Sequence, residues 1–340
     1  RILSALTTTR PLTFEGAPPA RSHLYRSGFV GRRSEIDQMM ERARCLEQQQ
    51  GLAIFVAGTG GAGKTRLNLE FIDELRRHHH RNLIVMMGEC VHQAAAPLSP
   101  LLNALRTIAE RCQEGGKPTT DTLLGPHGKV LSRYLPELAL LPGQAAYPEP
   151  EVLNAQQSRK RLYEHLGESL IALARQTPVL LLLEDLQWAD ELTMGFVEHL
   201  LQEDVFDQAP ILLLGSYRLD EATDSLNRLQ DTQTATILPL PSLDQRSVHD
   251  MISDMLAVSE TSVQLSRYLS EKSSGSPFLV AELLRMAIDD NWLTRSATGR
   301  WSLPADGEEN AYQTWALPDS LTELVEKRLA GLADGPQSVV

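Results

Sequence analysis

Cysteine is scarce in this sequence, and nothing in its placement suggests a structural role. Cys45, Cys90 and Cys112 are three in number and widely spaced, and they form no Cys-x-x-Cys pair. The one histidine run, at residues 78–80, lies in a basic stretch at the predicted end of a helix, where positive charge complements the helix dipole. We therefore predict reduced thiols and a solvated helix end rather than a zinc site.

Long apolar runs and a basic excess are also missing. No apolar stretch approaches the roughly 18–20 residues that span a bilayer, and no secretory signal pattern opens the chain. The formal net charge is −12, which argues against general nucleic-acid binding by this segment. We predict a cytoplasmic module without membrane or direct nucleic-acid contacts. Because it starts at Arg1 rather than Met, we expect a segment of a longer protein.

A glycine-rich motif dominates what is present. Residues 58–65 read Gly-Thr-Gly-Gly-Ala-Gly-Lys-Thr, which satisfies the P-loop pattern G-x-x-x-x-G-K-[ST]. An apolar strand is predicted before it at 52–57, and a helix follows with one apolar face. Backbone N–H groups of such a loop cradle phosphates at the helix N-terminus. The predicted nucleotide-binding residues here are Gly58, Gly61, Ala62, Gly63, Lys64, Thr65 and Arg66.

Two residues of this motif have specific expected tasks. Lys64 is expected to reach the β- and γ-phosphates of ATP, as a solvent-accessible side chain outside the core. Thr65 is expected to hold Mg²⁺ through its hydroxyl. A glycine-rich turn that binds nothing is the alternative, and the flanking strand and helix weigh against it.

An acidic pair supplies the second half of a nucleotide site. Residues 179–183 are five consecutive apolar residues, as in a parallel strand buried on both faces, and Glu184 and Asp185 follow directly. Ligands bind at the carboxyl ends of strands in such sheets. The pattern is that of a Walker B motif, with Glu184 assigned to the metal and Asp185 to the attacking water. The reverse order stays open.

Strands and helices alternate through the first two thirds of the chain, and helices alone follow. The pattern predicts an α/β fold with a parallel sheet covered by helices, followed by a small all-α domain. The domain boundaries are predicted as a linker at 1–27, a P-loop nucleotide-binding domain at 28–235 and a helical lid domain at 236–316. Residues 317–340 are predicted to begin a further domain.

Five motifs in order resemble those of the STAND class of AAA+-related signalling ATPases. They are Phe-Val-Gly-Arg at 29–32, the P-loop, the acidic strand with Gln-Trp-Ala-Asp at 180–190, the strand and Tyr-Arg at 212–218, and Gly-Ser-Pro-Phe at 275–278. The resemblance covers about residues 28–340 and is closest to the bacterial type found in transcriptional regulators, adenylyl cyclases and kinases. It also identifies 317–340 as the truncated start of a winged-helix domain.

The resemblance implies further site residues. Val30 and Arg32 would lie along the adenine, Arg218 would sense the γ-phosphate, and Pro277 would pack against the base. The implied catalytic set is thus Lys64, Glu184, Asp185 and Arg218, the metal set is Thr65, Glu184 and Asp185, and the cofactors are ATP or ADP with Mg²⁺. This sequence departs from the class at Gln187, where His is frequent, and at Glu184, where Asp is usual.

The resulting hypothesis is an ATP-binding, slowly hydrolysing switch that couples nucleotide state to domain rearrangement or oligomerisation. Its implied partners are fused or associated effector and sensor domains, and a nucleotide-dependent homo-oligomer is allowed. One alternative is an AAA+ remodeller or loader, which needs an arginine finger and a hexamer. Another is a scaffold that holds ADP and never turns over, against which the intact P-loop and acidic pair weigh.

Overall fold

The computed structural model describes residues 24–25, 27–78, 82–92, 96–202, 204–229, 232, 234–259, 261–296, 301–302, 315, 318 and 323. These residues belong to two compact units. The larger contains Phe29–Leu243 together with Ser276–Phe278, and the smaller contains Asp244–Gly275 with the described residues before Phe29 and after Phe278. Within the described ranges, every helix is too short or too polar to cross a bilayer.

The larger unit is built on five parallel strands, which confirms the predicted parallel sheet. They are β1 (Leu52–Gly58), β2 (Ile84–Glu89), β3 (Val179–Glu184), β4 (Ile211–Arg218) and β5 (Ala235–Pro239). The spatial order is β2-β3-β4-β1-β5, and all four pairings are parallel. This order places the P-loop strand β1 next to β4, and β4 next to the acidic strand β3.

Helices cover both faces of this sheet. In chain order they are α1 (Arg33–Ala43), α2 (Lys64–His78), α3 (Leu102–Leu123), α4 (Gly128–Leu131), α5 (Ala155–Ala174), α6 (Glu191–Gln202), α7 (Val205–Gln208) and α8 (Asp224–Arg228). Side chains alternate along β1, so Phe55 joins the core formed with α3, α5 and α6, while Ile54 and Val56 join the core formed with α1 and α2. The predicted apolar face of α2 is buried at Leu67, Phe71, Ile72 and Leu75.

The larger unit extends further than the predicted boundary at residue 235. Residues 235–239 form the edge strand β5, which pairs with β1, and the unit continues to Leu243. The segment between α3 and β3 is also largely helical. Helix α3 passes through Gly116, where a φ of 66° interrupts it, and α4 and several 3₁₀ turns follow before α5.

The smaller unit is helical, as the pattern predicts. It contains α9 (Gln245–Leu256), α10 (Val263–Ser273) and most of α11 (Pro277–Asp289), followed by the short strands β6 (Thr294–Arg295) and β7 (Trp301–Ser302). Asp244 caps α9 by accepting from Ser247 N at 2.8 Å, and Ser262 caps α10 by accepting from Leu265 N at 3.4 Å. Apart from isolated residues, the predicted linker at 1–27 and the predicted winged-helix start at 317–340 lie outside the described residues.

Candidate functional site

The glycine-rich turn at 58–63 joins the end of β1 to the first residue of α2. Gly61 and Gly63 have φ angles of 76° and 94°, in the region that side chains with a Cβ rarely adopt. A methyl group on Gly61 would also lie 2.9 Å from Phe278 Cβ. Glycine at these two positions therefore lets the backbone turn tightly ahead of a helix N-terminus, which is the geometry that binds phosphate.

Lys64 differs from its expected exposure. It is only 7% exposed, and its Nζ donates to Gly58 O and Thr59 O, each at 3.0 Å. An ammonium removed from water needs carbonyl acceptors, so the side chain curls back over the loop. Burial lowers the pKa of Lys64, and the negative charge of Asp185 partly offsets this by raising it. The charge is therefore held at the loop rather than in solvent.

Glu184 lies beside the start of α2, although it comes from the end of β3. Its side chain hydrogen bonds with the Thr65 hydroxyl, and its Oε1 accepts from Asn68 Nδ2 at 3.5 Å. Burial raises the pKa of Glu184, and these two hydrogen bonds oppose that rise. The structure thus brings together a hydroxyl and a carboxylate, both hard oxygen donors that suit Mg²⁺.

Asp185 has a backbone conformation unusual for a residue with a side chain. Its φ is 55°, in the left-handed region where Asp and Asn are tolerated best. Its Oδ1 accepts from Gln187 Nε2 at 3.0 Å and lies 4.0 Å from Arg218 Nε. The turn therefore separates the two carboxylates, with Glu184 directed toward α2 and Asp185 toward the end of β4.

Arg218 ends β4, between the P-loop strand and the acidic strand. It is in register with Gly58, and its guanidinium donates to Glu221 Oε1 at 2.8 Å and lies 4.8 Å from the centre of the Trp188 ring. Its backbone N–H donates to Gln187 Oε1 at 3.0 Å. One amide side chain, Gln187, thus connects Asp185 to the backbone of Arg218.

Four other predicted residues are located by the structure, and the two arginines among them have defined partners. Arg32 is buried and donates to Glu35 Oε1 at 3.2 Å and to the carbonyl of Pro241, which ties α1 to the chain after β5. Arg66 pairs with Glu70 on the same helix at 3.0 Å. Val30 is half-buried, and Ala62 is buried. An adenine contact by Val30 and Arg32 remains a prediction.

The Gly-Ser-Pro-Phe motif contributes to the P-loop through three residues of the larger unit. Phe278 N donates to Gly61 O at 3.4 Å, and Ser276 Oγ lies 3.5 Å from the same oxygen. Pro277 Cγ is 4.0 Å from the point where a Cβ of Gly63 would be. Pro277 therefore lies next to the predicted phosphate loop although it is far from that loop in the sequence, and its contact with a base stays a prediction.

Sequence reasoning missed the supporting residues Asn68 and Gln187. Asn68 is fully buried on the otherwise apolar face of α2, and a polar residue on such a face is a signal that the pattern contained. Gln187 was noted only as a departure from the class, whereas the structure makes it the link between Asp185 and Arg218. Its two contacts depend on two neighbouring strands and could not be read from spacing.

Burial of the Glu184 carboxylate should lower the free energy of unfolding at neutral pH. Because burial raises its folded-state pKa, this residue favours folding most at low pH, and that contribution is lost as pH rises through the folded pKa. Glu184→Gln should therefore raise the melting temperature of the nucleotide-free protein at neutral pH by about 2–4 °C. Melting curves across the acidic to neutral range check this, because the gain should shrink on acidification. A gain independent of pH would contradict the assignment to this carboxylate.

One protein family matches the part of the chain that contains the P-loop and the acidic pair. The family described as the AAA ATPase domain matches residues 28–214, which is more than half of the chain. No curated protein sequence matches it.

Solved structures with a similar fold are distant in sequence. Domain III of the replication initiation protein DnaA from Thermotoga maritima is 14% identical, with 84% of this chain and 92% of that chain covered and a TM-score of 0.41. Cdc6p from Pyrobaculum aerophilum is 12% identical, with 81% of this chain and 65% of that chain covered and a TM-score of 0.46. The Drosophila ORC bound to DNA is 13% identical, with 97% of this chain and 70% of that chain covered and a TM-score of 0.46. Likenesses this distant carry no information about substrate or partner.

Proposed function

Because this chain belongs to the AAA ATPase domain family, we propose that it binds ATP, hydrolyses it slowly, and acts as a signalling switch of the STAND type. One observation carries the proposal. Three functional groups that are far apart in sequence come from the carboxyl ends of the adjacent strands β3, β4 and β1. They are the pair Glu184 and Asp185, Arg218, and the loop with Lys64. This is the edge at which parallel sheets bind ligands.

Phosphate binding would be the task of the turn and of Lys64. The turn through Gly61 and Gly63 leads directly into α2, which begins at Lys64 and whose dipole favours negative charge at this end. The Lys64 ammonium already lies over the loop and can exchange its two carbonyl acceptors for phosphate oxygens.

Thr65 and Glu184 would hold Mg²⁺, which when bound neutralises charge on the phosphates. Asn68 positions Glu184 through its amide. Asp185 would orient and deprotonate the attacking water, because it is the carboxylate that faces away from α2. Gln187 occupies one of its oxygens and leaves the other for that water. The order of the two carboxylates is part of the proposal.

Arg218 would distinguish ATP from ADP. Its guanidinium is about one third exposed and is paired only with Glu221, Asp185 and the Trp188 ring among the contacts of the described residues. A γ-phosphate offers a stronger, charge-assisted partner, and only ATP carries it. Differential binding of the two nucleotides can then shift a conformational equilibrium of the whole chain. We propose that effector and sensor domains outside this segment respond to that shift.

Arg218→Ala should separate the two nucleotides in a binding experiment. We expect nearly unchanged ADP affinity and an ATP affinity that falls by about 10- to 100-fold, because one charge-assisted contact is lost. The difference in small-angle scattering between ADP and a non-hydrolysable ATP analogue should disappear as well. Arg228→Ala is the matched control, since this exposed arginine of α8 pairs with Glu198. Equal loss of ATP and ADP affinity would contradict the sensor role.

Steady-state ATPase and mass measurements test the proposal against its rivals. Slow turnover with a mass change or a domain rearrangement between nucleotides fits a switch. Formation of a hexamer that turns ATP over faster fits an AAA+ loader, which the family membership supports equally. Tightly retained ADP with no turnover fits a scaffold and would overturn hydrolysis as the function.

A further inference from the structure

Two histidines and one glutamate of the larger unit converge on one point outside the nucleotide site. His165 and Glu168 are three residues apart on α5, and His127 ends the 3₁₀ turn Gly125–His127 that precedes α4. Glu168 Oε2 lies 3.3 Å from His127 Nε2 and 3.3 Å from His165 Nδ1. The three ligand atoms all lie within 4.8 Å of one another.

The two distances to Glu168 Oε2 match the spacing of ligands around one metal ion, and the two histidine nitrogens lie within 4.8 Å of each other. Atoms bound 2.0–2.1 Å from a tetrahedral zinc lie roughly 3.3–3.4 Å apart, which is the spacing of both pairs here. As hydrogen bonds the same contacts are long, since N–H to O distances are usually about 2.7–3.2 Å. Both histidines would also need to donate to one oxygen, with their ring centroids only 4.1 Å apart.

The chemistry of the three groups suits a transition metal. Neutral imidazole nitrogens bind transition metals, and both histidines lie beside the Glu168 carboxylate. Glu168 is the most exposed of the three and supplies the negative charge. Two histidines and a carboxylate form a recognised zinc ligand set that leaves one position for water.

We propose that His127, His165 and Glu168 bind one zinc ion or a similar divalent transition metal. The ion would join the turn before α4 to the middle of α5, two segments separated by α4 and the 3₁₀ turns that follow it. Its expected role is to stabilise the segment between α3 and α5 against α5, the helix that leads into the acidic strand β3. This site does not depend on the proposed ATPase activity.

Titration of the metal-free protein with zinc, followed by calorimetry, tests the site. We expect one zinc per chain, and a melting temperature higher by roughly 5–10 °C at about 100 times the dissociation constant. Cobalt in place of zinc should give the visible absorption of a tetrahedral site without a sulfur charge-transfer band, since no cysteine is among the ligands.

Two variants of the proposed ligands should abolish this binding. His165→Ala and Glu168→Gln should each weaken zinc binding by more than about 100-fold, because even loss of outer-shell partners costs about 10- to 100-fold. Glu164→Gln is the matched control, since this carboxylate lies one turn away on α5 and pairs with Lys160. A second control replaces residues 78–80 by alanine, which removes the histidine run.

The outcomes decide the proposal. Melting curves in the presence of a chelator establish that each variant folds, and if His165→Ala does not, Glu168→Gln decides alone. No zinc binding by the wild-type chain would overturn the proposal. Zinc binding that survives both ligand variants, or that is lost only with the histidine run, would overturn it as well.

Discussion

Lys64→Met should reduce the affinity for ATP by roughly 100-fold or more while leaving the fold intact. The structure holds the Lys64 ammonium directly over the glycine-rich turn, through Gly58 O and Thr59 O. Charge-assisted contacts of this kind contribute about 1.5–3 kcal/mol each, and a lysine can make more than one with the phosphates. Because the stem of Lys64 is buried, Met preserves its packing.

Isothermal titration with ATP and with ADP measures the change. Lys64→Ala should lose as much affinity as Lys64→Met and some stability in addition, because it leaves space where the stem packs. Lys117→Ala is the control, since this exposed lysine pairs with Asp121 on α3. Unchanged ATP affinity in a folded Lys64→Met protein would show that the glycine-rich turn is not a phosphate site.

Asp185→Asn should bind Mg-ATP normally and lose hydrolysis by about 10²- to 10⁴-fold, the usual contribution of a general base. The change suits this position because Asn tolerates the left-handed backbone, and its carbonyl oxygen can still accept from Gln187 Nε2. The change removes the ability to take a proton and the negative charge near Arg218 Nε, and it preserves the turn. Loss of activity would therefore reflect chemistry rather than a misplaced turn.

Single-turnover hydrolysis beside nucleotide titration separates these two effects. Asp207→Asn, an exposed aspartate of α7, should hydrolyse ATP at the wild-type rate. Glu184→Gln should instead weaken the dependence of ATP binding on Mg²⁺. If Glu184→Gln stops hydrolysis and Asp185→Asn alters the metal dependence, the two roles are reversed. Native turnover in both variants would rule out the acidic pair as the catalytic centre.

The sequence was informative where local rules govern structure. Gly61 and Gly63, the apolar face of α2 and the apolar run of β3 each depend on neighbours within one or two turns, and each lies where the pattern predicts. The short edge strand β5 was missed because only one of its five residues is fully buried, so its pattern is weak. Pairing with β1 decides its structure.

Side-chain exposure and partnership depend on parts of the chain that are distant in sequence. The motif determined that Lys64 follows a glycine-rich turn, but its burial depends on how the loop carbonyls fold around the ammonium. The order β3-β4-β1 places Arg218 between the acidic pair and the P-loop, and only then can Gln187 contact both Asp185 and Arg218. His127 joins His165 and Glu168 in the same way.

The sequence by itself determined the local conformations and the residue types of the site, because these follow from backbone sterics and hydrophobic periodicity. The tertiary structure alone decided which of these groups meet, because strand order and helix packing set distances that no local pattern encodes.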